Sequence, residues 1–205
     1  MTCTDIFEEN SLPRTEFHPV GASYPQPHYG LMSLHGVPKP GWRAFQFLHT
    51  HAGTHTVPAE VFHGVGQSTG GNESLIAATA TVNITSDTQS ALSGSGRVFL
   101  SHWDATHDAY AHSTAVVTLE VAGVKLVSST ASVHMIDNTT SANLLWQSWG
   151  SPPVPSAKQL AELKTYSEVV PHLAPWEPST IASTGEQIMR TTIVMPPNSA
   201  CVVEV

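Results

Sequence analysis

Two adjacent acids, Glu8 and Glu9, close an apolar segment near the start of the chain, in the stretch TDIFEEN from Thr4 to Asn10. Paired carboxyl groups are the equipment of glycoside hydrolysis. One exchanges a proton with the leaving group and the other attacks the sugar or activates water, across a gap of about 5 Å for retention and more for inversion. Neighbouring positions cannot supply that geometry. In an extended strand adjacent side chains point to opposite faces, so at most one of Glu8 and Glu9 looks into a given pocket. On spacing alone they read as two solvated acids at a strand end.

The 12 histidines suggest a different chemistry. His49, His51 and His55 in HTHAGTH invite a zinc site, because neutral imidazoles on neighbouring turns can share a tetrahedral ion. On a helix, however, His49 and His51 point to different sides, and Gly53 is placed to end the helix before His55 can stack beyond His51. No H-E-x-x-H arrangement supplies a base. The segment reads as a solvated helix end where histidine complements the dipole, and no metal is expected. His102, His107 and His112 in SHWDATHDAYAH, with His134 further on, read as surface turn residues rather than the lining of a groove. Around Ser68, GQSTG matches a nucleophile elbow, but a strand-like run follows it where a helix is required, so it reads as a glycine-rich connector. Among the tryptophans, Trp146 and Trp149 at helical spacing read as core. Trp103 and Tyr110 are the better candidates for a sugar-stacking platform.

These residues must be positioned by elements of two kinds. After a strand-like TCTDIF the first forty residues are rich in proline and read as a long loop. KPGWRAFQFLHTHAG then reads as a helix, with Pro40 at its first position and Trp42, Phe45 and Leu48 on the face to be buried. From about Ser74 the period changes to two. The runs IAATATVNIT, RVFLSHW, STAVVTLEV, VKLVSSTASVHMI, MRTTIVM and SACVVEV, separated by turn residues, predict an antiparallel sandwich. A helical insertion interrupts them. SANLLWQSWG stops at Gly150, and PSAKQLAELKTY opens with Ser156 as cap, Gln159 as its capping-box partner, and Leu160 and Leu163 on one face.

Composition excludes several partners. With 8 Lys and Arg against 16 Asp and Glu, a formal charge of -8 offers no footprint for nucleic acid or an anionic membrane. No secretory leader and no run of about 18 apolar residues is evident, which predicts a soluble chain. Glycan-acceptor triplets at Asn72, Asn83 and Asn138 would suit a secreted parent protein. Cys3 and Cys201, near opposite ends, make no disulfide framework.

The phrases MTCTDIFEE and GLMSLHGVPKPGWRAFQFL, in that order, resemble the eighth strand and last helix of the catalytic barrel in glycoside hydrolase family 39, the β-xylosidase and α-L-iduronidase group. Downstream, IDNTTSANLLWQSWGSPPVPSAKQLAELKTYSEV is similar to the helical insertion in that family's C-terminal sandwich, where a W-x-x-x-G-S-P-x-x-P phrase occurs. The resemblance runs from Met1 to Val205. It implies a mainly β chain: a C-terminal antiparallel β-sandwich with a short helical insertion, preceded by the last strand and helix of a truncated (β/α)8 barrel. The corresponding segments are a barrel end over 1–62, a connector over 63–73, and a sandwich over 74–205 carrying the insertion at 139–170.

The same resemblance implies a function. The family's general acid, in an N-E-P setting, and its nucleophile glutamate both precede the matched region, and neither motif exists in this chain. Glu8 and Glu9 correspond to the paired glutamates that help bind the sugar, where a carboxylate gripping hydroxyls orients substrate. The expected chain is therefore the C-terminal part of a retaining β-xylosidase-like enzyme, inactive alone and without cofactor or metal. Glycan is its substrate through the parent enzyme, and self-association through the barrel remnant is expected. A non-catalytic sandwich that binds glycans or scaffolds a barrel is the alternative. Met1 stands where the family has a tryptophan, which is compatible either with methionine in the parent or with an internal start.

Overall fold

The computed structural model describes residues 31–33, 36–62, 74–83, 96–104, 114–123, 128–152, 154–181 and 184–205. The segment carrying Glu8 and Glu9, the GQSTG connector, His107, Tyr110 and His112 lie outside them. Two compact units emerge. One gathers the described residues up to His49 with Ile136–Val169, and the other gathers Thr50–Met135 with Val170–Val205.

The first unit is helical. Helix α1 spans Pro40–His51, its last two residues counting with the second unit. A tight turn precedes it: the Ser33 hydroxyl accepts from the Val37 amide at 3.1 Å, and Gly36, at φ +69°, donates to the Ser33 carbonyl. Only a residue tolerant of the left-handed region fits there. Helix α2, Ala142–Ser148, starts on the Ser141 cap and ends in a Schellman motif. The Gly150 amide donates to Gln147 O at 2.8 Å and the Ser151 amide to Trp146 O at 3.2 Å, with Gly150 at φ +78°. Helix α3, Ala157–Tyr166, opens with the expected capping box: the Gln159 amide donates to Ser156 Oγ at 3.3 Å, and the Ser156 amide to Gln159 Oε1 at 2.9 Å. Val37, Ala142, Trp146 and Leu163 form the core, with Leu145, Trp149 and Leu160 packed around it. Trp146 is satisfied as well as buried, since its indole N–H donates to Pro152 O at 3.0 Å.

Helix α1 turns a different face inward from the one its apolar spacing suggests. Gly41 and Phe47 are buried, whereas Trp42, Phe45 and Leu48 are 36%, 44% and 52% exposed. The reason lies in its anchor. Arg43, one turn before Phe47 on the same side, donates from Nε to Ser167 O at the end of α3 at 2.8 Å, so that side faces the unit.

The second unit is a β-sandwich. Strands β1 (His55–Val57), β2 (Ser74–Val82), β3 (Gly96–Asp104), β4 (Ala115–Ala122), β5 (Thr130–Ile136), β6 (His172–Pro175), β7 (Glu177–Thr180), β8 (Gln187–Met195) and β9 (Ser199–Glu204) form two sheets. The larger has the order β1-β2-β3-β9-β5-β6 and the smaller β4-β8-β7. Pairs β1–β2, β2–β3, β3–β9, β5–β6, β4–β8 and β7–β8 run antiparallel. Alternation positions the core: Val98 and Leu100 of β3, Val133 of β5, Cys201 and Val203 of β9 meet Ile193 and Met195 of β8 and the inward row Val117, Leu119 and Val121 of β4. All six strands read from the two-residue period are present. Strands β1, β6 and β7 are not legible that way: each has at most four residues, and two carry prolines, Pro175 and Pro178. β6 and β7 lie at sheet edges, where a missing N–H is tolerated. Between them the chain changes sheets at Trp176, 7% exposed, whose amide donates to Ser129 O at 2.9 Å.

Gly53 has another role than helix termination. Its φ is ordinary, but a Cβ there would lie 2.5 Å from the Val82 carbonyl oxygen and 2.7 Å from the Val82 nitrogen. The glycine lets the segment after α1 run against the end of β2, where its amide donates to Thr81 Oγ1 at 2.9 Å.

Candidate functional site

Across the face of the larger sheet turned away from the sandwich core, the register builds a row of polar side chains. Arg97 on β3 pairs with Glu204 on β9, and β5, which follows β9 in the sheet, presents His134 from the same face. His51, the last residue of α1, completes the group. His51 Nδ1 lies 3.1 Å from Glu204 Oε1, His134 Nε2 lies 3.8 Å from Glu204 Oε2, and Arg97 Nη2 lies 3.7 Å from Oε1. The two imidazole rings stand 4.9 Å apart, centroid to centroid, and the Ser132 hydroxyl reaches His134 Nε2 at 3.3 Å. One donor atom from each of His51, His134 and Glu204 lies within 4.8 Å of the other two.

The cluster is half-buried, and its electrostatics follow from that. Burial holds the His134 pKa below the ordinary histidine value, and neighbouring His51 and His172 push the same way, partly offset by Glu204. His134 is therefore held toward the neutral imidazole, which keeps a lone pair. Glu204 is hydrogen-bonded to His51 and lies within ion-pair distance of His134.

The other candidates fall out differently. His49 and His55 are exposed and are not part of this group; His55 Nδ1 lies 2.9 Å from the neighbouring Thr54 hydroxyl. His102 is not a surface turn residue but lies in the core, 1% exposed on the inward row of β3, donating from Nδ1 to Met195 O at 3.1 Å and Pro196 O at 2.8 Å. A histidine with its donor satisfied by carbonyls is a structural element. His134 is likewise a strand residue. Trp103 stands 37% exposed on the outward face of β3, opposite Leu75 of β2, as a sugar platform would require. Trp146 is core as expected, and Trp176 is core too. Glu8 and Glu9 lie outside the described residues.

The sequence gives no local sign of the polar row, because its members are separated by long stretches of chain and meet only through sheet register. The one usable signal is a charged or histidine side chain at an outward position of each strand once the strands are paired.

The fold and the site define a class: a two-sheet antiparallel sandwich accompanied by a small helical unit, mainly β. Among solved structures the chain is similar to the GH39 enzyme from Xanthomonas axonopodis pv. citri, with a TM-score of 0.56 and 17% identity over 85% of this chain and 31% of that one. It is also matched by a GH39 β-xylosidase from Caulobacter crescentus, with a TM-score of 0.49, 15% identity, and 88% and 30% of the two chains covered. A monomeric β-xylosidase from Caulobacter crescentus CB15 matches with a TM-score of 0.49, 17% identity, and 86% and 32% covered. The chain thus spans about a third of the length of these structures. No curated protein matches it. The family model for glycosyl hydrolases family 39 matches residues 1–180, and the chain belongs to that family. Among the described residues, no helix is long and apolar enough to cross a membrane.

Proposed function

We propose that this chain forms the C-terminal portion of a retaining, β-xylosidase-like glycoside hydrolase of family 39, and that it contributes substrate contacts and scaffold without the groups that perform the chemistry. The family match over residues 1–180 carries this reading. In it, residues 1–62 close a catalytic barrel, 63–73 connect, and 74–205 form the sandwich. Glu8 and Glu9 hold sugar hydroxyls through charge-assisted hydrogen bonds, one facing the pocket and the other the wall. The acid/base and nucleophile glutamates belong to a preceding segment of the parent enzyme, so double displacement requires that segment.

The exposed stripe on α1 supports the barrel assignment. Trp42, Phe45 and Leu48 recur every three residues along one side of the helix and are all solvent-facing. A helix with an apolar stripe on the side away from its own unit is built to pack on something further, and the last helix of a barrel packs on strands. Without those strands the stripe drives association between copies, as large exposed apolar patches do.

Purified chain incubated with an aryl β-xyloside is the direct assay. Release of the aryl alcohol should not exceed the rate in buffer, since acid/base and nucleophilic groups supply most of the chemical acceleration. Turnover that copurifies with the chain would overturn the proposal. A second reading, a glycan-binding sandwich, is favoured only by the exposure of Trp103 beside Leu75. Retardation of the chain in a xylan-containing native gel, lost on Trp103→Ala, would support that reading instead.

A further inference from the structure

We propose that His51, His134 and Glu204 form a binding site for a divalent transition-metal ion of the zinc class, with water completing its coordination. Nothing in a glycosidase mechanism requires such a site, and the inference stands apart from the function proposed above.

The donor set is the first argument. Two imidazole nitrogens and one carboxylate, with an open position, constitute one of the three-ligand sets that hold zinc. Geometry is the second. Around a tetrahedral ion with bonds of about 2.0–2.1 Å, neighbouring donors stand roughly 3.3–3.5 Å apart. The 3.1 Å from His51 Nδ1 to Glu204 Oε1 lies close to that spacing, His134 Nε2 stands 3.8 Å from the other carboxylate oxygen, Oε2, and one donor atom from each of the three residues lies within 4.8 Å of the other two. Small side-chain rotations close the site. Position is the third argument: the donors come from the end of α1, from β5 and from the central strand β9, so helix and strand backbone rather than a loop holds them.

Chemistry narrows the ion. Two nitrogen donors suit zinc and its neighbours and disfavour magnesium and calcium, which prefer oxygen. Two groups work against occupancy. Arg97, 3.7 Å from Glu204 Oε1, competes for the carboxylate, and the Ser132 hydroxyl competes for His134 Nε2. Without a metal the same residues form a polar cluster in which Glu204 is hydrogen-bonded to His51 and lies within ion-pair distance of His134, which is the alternative the experiment must separate.

Calorimetric titration of the full chain with zinc chloride should show one site, and magnesium chloride should show none. His51→Gln and His134→Gln should each weaken zinc binding at least tenfold, Arg97→Gln should tighten it, and His49→Gln should leave it unchanged. Zinc affinity that is absent, or that survives both ligand substitutions, overturns the site. If the variants fail to fold, diethyl pyrocarbonate footprinting of the unsubstituted chain decides. Zinc should protect His51 and His134 while His49 and His55 still react, and equal reaction at all four with and without zinc contradicts the proposal.

Discussion

Cys201 faces the sandwich core from β9, opposite Leu100 of β3, and burial pushes its thiol up to about 12, slightly relieved by a backbone hydrogen bond at Leu100. In the unfolded chain the same thiol ionises at about 8.5. The folded pKa is the higher one, so the group's contribution is fully present below about 8.5 and is lost as pH rises toward 12. Thermal stability of the unsubstituted chain should therefore fall more steeply between pH 8.5 and 10.5 than that of Cys201→Ala, although the variant starts lower because a core side chain has been trimmed. Parallel pH profiles would contradict this. Iodoacetamide at pH 8 should also spare Cys201 until denaturant is added, because only a thiolate reacts. The polar row on the other face of the same strand shows what a sequence conceals at this scale. Proximity along the chain groups His51 with His49 and His55, but the structure sets it beside His134 and Glu204, which strand pairing brings together. Spacing arguments see only neighbours along the chain, and cross-strand neighbours become visible once pairing is known.

Elements were legible where their signals are local. The capping box at Ser156 and Gln159 and the Gly150 stop after α2 are chain-local chemistry, and both are present as read. So are the six strands long enough to show alternation. Edge strands β6 and β7 escaped because proline and four-residue length erase that pattern. The inward face of α1 escaped because apolar spacing reports an apolar stripe without saying which partner covers it. Gly53 illustrates a third case, a glycine kept by close backbone approach. The two kinds of local feature differ in cost. Ser156→Ala removes one cap and should cost about 0.5–2 kcal/mol. Gly53→Ala forces a Cβ against the Val82 backbone, 2.5 Å away, and must displace the start of β1 from β2. Urea unfolding should place Gly53→Ala below Ser156→Ala in midpoint, and equal midpoints would show that the contact yields freely.

At the scale of the whole molecule, family membership rests on a match to residues 1–180, and the chain spans about a third of the solved structures it resembles. The proposed reading assigns the chemistry to another segment of the parent enzyme. In that reading the exposed α1 stripe of Trp42, Phe45 and Leu48 is the face such a segment would cover. Bulk hydrolysis can be mimicked by traces of a host glycosidase, so the most direct measurement reads the chain itself. A 2-deoxy-2-fluoro xyloside with a good leaving group traps the glycosyl-enzyme on the nucleophile of a retaining enzyme. Intact mass spectrometry of the chain after this treatment should show an unchanged mass. A stoichiometric fluoroxylosyl adduct on any carboxylate of these 205 residues, Glu8 and Glu9 included, would contradict the account.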